Sequence, residues 1–558
     1  MEKVLIVGSG PSGVHFALSV LRNGYEVLML DVGKERPEVT HADYGFNDLK
    51  AKLDDPVGYF LGEHFEGVIY PSSKKEYYGI PPSKNYVFSD LEDFRFEANG
   101  FAPLLSFAQG GLAEAWTGGV YPFNDDELSD FPFRYKDIAP FYNEVARRIG
   151  MTGVDDDLSQ FMPVHENLLE PLELDEHSTT LLAEYRKHKD FINGRLKCYL
   201  GRSRVATLSQ DNESRRRCSY LGRCLWGCPS QAFYTPSITL EECRRFPNFE
   251  YRGDMYVTHF NFNSKRHISG LVAKSLKDRK AVEIPVGKLV LAAGTLSSSQ
   301  IFLQSIFQNT GEIIKLPGLM DNRQILIPFV NLKMFGKSYN PRAYQYHQVA
   351  LGIDNGSLKH YLHGQITTLK TALLHPIIQK IPFDLKTSTF MFRHLHAALG
   401  LANVNFADSR REENYLTLAT GSKSAWPKLL INYAPPASET HSIKAVMRQV
   451  KRALWKLKCV VPPGMAHVRP MGASVHYSGT IPMSMRAGAY TTSPDCRSHD
   501  FDNLYIVDGT TFPFLPAKNI TFTLMANAVR VANNAFLGRS ADYSFAPLSE
   551  QLQRIPTT

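Results

Sequence analysis

The sequence predicts an α/β fold that opens on a doubly wound parallel sheet, and three observations predict it. Residues 3–8, KVLIVG, are a continuous β-branched and aliphatic run ending in glycine, the pattern of a strand buried on both faces. The segment VHFALSVLRNG then places apolar residues at helical spacing and stops at Gly24. A second apolar run, YEVLMLDVG, reads as the next strand and ends in Asp31.

Between the first strand and the helix lies Gly8-Ser9-Gly10-Pro11-Ser12-Gly13, a GxGxxG. Gly8 suits the tight turn, Gly10 lets backbone approach a pyrophosphate, and Gly13 lets helix and strand pack closely. The helix start offers unpaired N–H groups and the positive end of its dipole to phosphates. Asp31 stands about twenty residues on, where a carboxylate accepts hydrogen bonds from ribose hydroxyls. Alone, GxGxxG is a weak signal. Within strand–loop–helix–strand it specifies a Rossmann-type dinucleotide site, and the acid favours an unphosphorylated ribose: FAD or NAD rather than NADP.

The chain has 558 residues, enough for two lobes with substantial cores. Its 43% hydrophobic and 21% charged residues are those of a folded globular protein. No apolar run approaches the about 18 residues of a membrane span. MEKVLIVGSG lacks the features of a secretory signal, so the expected location is cytoplasmic. A net charge of +7 is spread along the chain without aromatic and basic alternation, which argues against a nucleic-acid partner. Cys218, Cys224 and Cys228 cluster, but their spacing lacks the paired ligands of a zinc site, so no metal is expected.

Four separated segments resemble the glucose–methanol–choline (GMC) flavin oxidoreductases, in the family's order. They are the N-terminal block, QGGLAEAWTGGVYPF (109–123), VGKLVLAAGTLSSSQIFLQS (286–305), and the C-terminal pair GASVHYSGTIPM (472–483) with NLYIVDGTTFPFLPAKNITFTLMANAVRVANN (503–534). The AWTGG run is similar to the pyranose-oxidase branch, where a histidine bonds covalently to the flavin. Here that position is Ala115, which has no nucleophile, so non-covalent FAD is expected. The resemblance implies a flavin domain joined to a substrate-binding α+β domain built on an antiparallel sheet. It also implies cofactor contacts at Gly110, Gly111, Trp116, Thr117, Val257, Ala293, Gly294, Asp508 and Gly509. A helix starting after Asn519 would aim its N-terminus at the flavin's electron-rich edge.

By the same resemblance, His476 falls on the family's catalytic histidine and Asn519 on its second position, which is histidine or asparagine. A neutral imidazole can take a hydroxyl proton while the alcohol carbon delivers hydride to flavin N5. An amide can hold the substrate oxygen. One departure is that Gly479-Thr480-Ile481-Pro482-Met483-Ser484 replaces the family's Gly-Thr-x-Arg-Met-Gly run. The implied activity is oxidation of a CH–OH group, by an oxidase or a dehydrogenase, with a sugar, glycoside or polyol as the alcohol and a separate electron acceptor. Two rival readings stay open: a redox-neutral lyase that keeps FAD as structure, and a non-catalytic binding protein of the same fold.

The flavin domain is expected to be discontinuous, over residues 1–150, 200–325 and 470–540. The substrate domain takes 151–199 and 326–469, and a tail follows at 541–558. Residues 249–292 alternate like strands. Residues 370–404 mix aliphatic and aromatic side chains with Lys, Arg and His, the composition of a lid, a dimer contact or a membrane-surface element.

Overall fold

The computed structural model describes residues 3–37, 44–68, 76, 78–371, 373–379, 381–419 and 426–538, so the expected tail lies outside the described residues. Five parallel strands form the first sheet, in the order Leu504–Ile506, Lys288–Leu291, Lys3–Val7, Glu26–Leu30 and Phe249–Arg252. Both faces are covered, which explains the unbroken apolar runs. Val4, Ile6, Val27 and Met29 pack on helices Pro11–Leu21 and Thr521–Val531. Leu5, Leu28 and Leu30 pack on helix Thr295–Thr310 and on a three-stranded antiparallel sheet (255–262, 268–275, 281–285).

Chain order reverses beside Lys3–Val7, because Lys288–Leu291 joins on one side and Glu26–Leu30 on the other. Such a switch point opens a crevice at the carboxyl ends of the strands. Val7, Leu30, Ala292 and Asp508, at or just beyond four strand ends, all line one cleft there.

The second lobe is built on a seven-stranded antiparallel sheet: Gln324–Asn331, Val349–Ile353, Leu362–Thr368, Leu399–Asn405, Cys198–Arg202, and the short Cys459–Val460 and His467–Val468. Helices Glu176–Leu196 and Glu439–Lys456 cover its back through Leu181, Tyr185, Ile443 and Val450. Its front faces the cleft.

The lobes interleave more than the expected boundaries imply. Strand Cys198–Arg202 straddles residue 200 yet lies wholly in the antiparallel sheet. Tyr415–Leu418 and Leu429–Asn432, inside the stretch assigned to the substrate domain, instead join Phe96–Asn99 and Lys315–Pro317 and bury Leu416 and Ile431 beside Leu5 and Leu289. The 370–404 stretch also divides. Helices His375–Ile378 and Leu385–Leu395 form a hairpin, whereas Leu399–Asn405 is an inner strand of the sheet. Among the described residues, no helix is long and apolar enough to cross a membrane.

Candidate active site

The cleft has a volume of about 1140 Å³ and runs from the glycine loop to His476 and Asn519. At the loop each glycine has a separate cause. Gly8 has φ +100°, and a Cβ there would meet the Ala292 carbonyl oxygen at 2.6 Å. A Cβ on Gly13 would collide with the Gly8 carbonyl oxygen. A Cβ on Gly10 would meet nothing within 4 Å, so that backbone borders open cleft. Helix Pro11–Leu21 has no side-chain cap and no acid in its first turn, which leaves its leading N–H groups to a phosphate. This is a cradle with open space at Gly10 and uncapped helix N–H groups, the features a pyrophosphate uses.

Asp31 is held by the Ser9 hydroxyl, while Ser9 Oγ accepts from Gly110 N at 2.9 Å. Burial pushes its carboxyl up to about 6. Gly111, Trp116, Thr117, Val257, Ala293, Gly294, Asp508 and Gly509 all line the cleft, as do Gly8 and Gly10. Gly13 and Gly110 do not; they shape its wall from behind. Trp116 spends its indole N–H on Tyr234 O at 2.9 Å. The Asp508 carboxylate is occupied by Gly294 N (2.9 Å), Ser298 Oγ (2.5 Å) and Thr510 N (3.0 Å), so it shapes the backbone around the cofactor cleft. Ala115 also lines the cleft and offers no nucleophile.

At the far end Asn519 Nδ2 lies 3.3 Å from His476 Nε2. The hydrogen-bond network fixes the tautomer. Asn322 donates both amide hydrogens, to Phe406 O at 2.8 Å and Pro516 O at 3.0 Å. Its Oδ1 therefore accepts from His476 Nδ1, 2.9 Å away. With Nδ1 carrying the hydrogen, Nε2 of the neutral ring presents a lone pair. Gln365 Nε2 donates to Asn519 Oδ1 at 2.7 Å, which in turn points Asn519 Nδ2 at that lone pair. Burial pulls the His476 pKa down to about 4, so the ring is neutral at ordinary pH.

The backbone here is held under tension. Val475 has φ +64°, costly for a β-branched residue, immediately before His476. Asp321 braces the turn by accepting from Gly472 N at 2.6 Å and from the Ser474 hydroxyl, and Ser474 Oγ accepts from His476 N at 3.1 Å. On the other side Lys518 is fully buried and donates to Glu127 (2.6 Å), Pro122 O (2.8 Å) and Phe161 O (2.9 Å), anchoring the residue before Asn519. Sequence reasoning missed Asn322, Gln365, Asp321 and Lys518. Gln365 lies on strand Leu362–Thr368, and Asp321 and Asn322 lie just before strand Gln324–Asn331, all far from His476 in sequence and without a local motif; only the position beside Asn519 could have drawn attention to Lys518.

A dinucleotide cradle continuous with a neutral imidazole and a carboxamide defines a Rossmann-type oxidoreductase. Comparison with known proteins points the same way. Residues 410–528 match the GMC oxidoreductase model. Paromamine 6'-oxidase of Streptomyces fradiae is 21% identical over 95% of this chain and 90% of its own. The solved structure of pyridoxine 4-oxidase from "Mesorbium loti" superposes with a TM-score of 0.59 at 14% identity, covering 97% of this chain and all of that one. A formate oxidase from Aspergillus oryzae gives 0.59 at 11% identity, covering 96% and 99%. Residues 410–528 thus resemble the corresponding part of the GMC oxidoreductases, the fold is shared with solved oxidases of that kind, and FAD is the dinucleotide such homologues bind.

Proposed function

We propose that the protein oxidises a hydroxyl on a sugar, glycoside or polyol, with His476 as general base, Asn519 as its orienting partner and FAD held without a covalent bond. The observation that carries the reading is the 3.3 Å approach of Asn519 Nδ2 to the unprotonated Nε2 of His476, inside the cleft that begins at the glycine loop. Bound FAD supplies the hydride acceptor. The protein's own groups do the rest. A substrate hydroxyl entering between the two side chains donates to Nε2 and accepts from Nδ2, replacing the bond they make to each other. His476 then takes the hydroxyl proton, and Asn322 Oδ1 stabilises the resulting imidazolium through Nδ1–H. Gln365 keeps the Asn519 amide from turning.

The sugar assignment draws support from the Streptomyces fradiae relative, whose name places its oxidation at a 6' position. The test is an anaerobic screen of the yellow holoprotein against glycosides, polyols, pyridoxine and simple alcohols. Bleaching of the flavin by a glycoside or polyol is expected. A flavin that stays oxidised with every alcohol while the protein still converts one would mean a lyase, and protein that purifies without flavin would mean a binding protein.

A further inference from the structure

The front face of the antiparallel sheet changes character along its length. Side chains that point into the cleft come from alternate residues of three neighbouring strands, because successive side chains of a strand point to opposite faces. Paired positions make three rows. Gln365, Asn403 and Leu326 form the row beside Asn519; Thr367, Leu401 and Pro328 form the next; Leu399 and Val330 form the third. The rows span four residues, roughly 14 Å at 3.4 Å per residue. Polarity ends with the first row and the threonine of the second.

Above the apolar rows lies the helical hairpin 375–395. Ile381, Phe392 and Leu395 line the cleft from that side. On the outer side of the hairpin Phe383, Leu385 and Phe390 are 57%, 65% and 63% exposed, interspersed with the exposed Asp384, Lys386 and Arg393. Clustered exposure of large apolar side chains marks a surface that meets apolar material. A cleft that is polar where it reacts and apolar for the next two rows fits an amphipathic molecule, since apolar walls favour apolar occupants.

We propose that the alcohol carries a long aliphatic chain. Its oxidised carbon lies at His476 and Asn519, and its tail runs along Leu326, Pro328, Val330, Leu399 and Leu401 beneath the 375–395 hairpin. This rests on the oxidation reading above and names a lipid-class alcohol within it.

Two measurements on the holoprotein test it. The first is calorimetric binding of 1-alkanols from butanol to decanol, which needs no turnover. The dissociation constant is expected to fall about fourfold per added methylene, the factor for burying a CH₂ group. A constant that does not change with chain length overturns the proposal. So does tightening that survives intact in Leu401→Glu, once that variant is shown to melt normally and keep its flavin spectrum, because the chain then binds elsewhere. The second measurement compares anaerobic bleaching by methyl and octyl β-glucoside below micelle-forming concentrations. A lower half-saturating concentration for the octyl compound is expected. Equal bleaching with flat alkanol binding removes the tail and leaves the oxidation. Tightening along the alkanol series, with no bleaching by any alcohol, leaves the tail site and removes the oxidation.

Discussion

Replacing His476 with alanine is expected to leave FAD binding and folding intact while slowing flavin reduction by a factor of about 10²–10⁴, the usual worth of a positioned general base. The ring makes its bonds with Asn322 and Asn519 and does not support the sheet core, so the flavin spectrum and melting temperature should change little. Transient anaerobic reduction of the variant separates this from a binding defect, since the limiting rate falls and the half-saturating concentration does not rise in parallel. The pH profile of the parent enzyme carries a linked expectation. The active form is neutral His476, and burial holds its pKa near 4. The acid limb of kcat/KM assigned to this group should therefore lie near pH 4, with activity lost as pH falls through that value. An unperturbed histidine would place the loss near 6.5. A limb at 6.5 that vanishes in His476→Ala would show a solvated ring and would refute the buried geometry.

Lys518→Met is expected to destabilise the fold by about 3–5 kcal/mol, because it removes one partner of a fully buried ion pair and leaves Glu127 without its counter-charge. Burial pushes the Glu127 carboxyl up and the Lys518 ammonium down, each opposed by the other's charge and by the hydrogen bond between them. The Lys518 ammonium also ties Pro122 O and Phe161 O to the residue before Asn519. Loss of activity should therefore accompany the lower melting temperature. The double variant Lys518→Met with Glu127→Gln removes the stranded charge and is expected to recover part of the stability. Recovery of melting temperature without recovery of rate would place the role of Lys518 in positioning Asn519. A single variant as stable as the parent would show that the pair contributes nothing.

What the sequence reveals of this site follows from how local each piece is. The glycine loop, its flanking strand and helix, and Asp31 occupy one stretch whose spacing is set by local backbone geometry, and the structure forms that arrangement. His476 and Asn519 carry no local signature of chemistry and were reached through resemblance; they meet only when the chain closes, at 3.3 Å. Asn322 is 154 residues from His476, and its assignment as the group that fixes the imidazole tautomer depends on two backbone carbonyls from other segments. Lysine is ordinarily a surface residue, so nothing in KNIT announces a fully buried ammonium at Lys518. The interleaving of the lobes was hidden for a related reason. Tyr415–Leu418 and Leu429–Asn432 are four residues each, and strands that short carry no mark of which sheet they join. The 370–404 composition is an amphipathic average that conceals an inner strand next to a helical hairpin.

The proposed function depends on hydride leaving an alcohol carbon held between the flavin and the His476–Asn519 pair. The most direct measurement is the transient rate of flavin bleaching, without oxygen, by the best alcohol of the screen and by the same alcohol deuterated at its carbinol carbon. Bleaching is expected to occur, and deuteration is expected to slow it. Bleaching at the same rate with both compounds, or a flavin that no alcohol reduces, would contradict the proposed function.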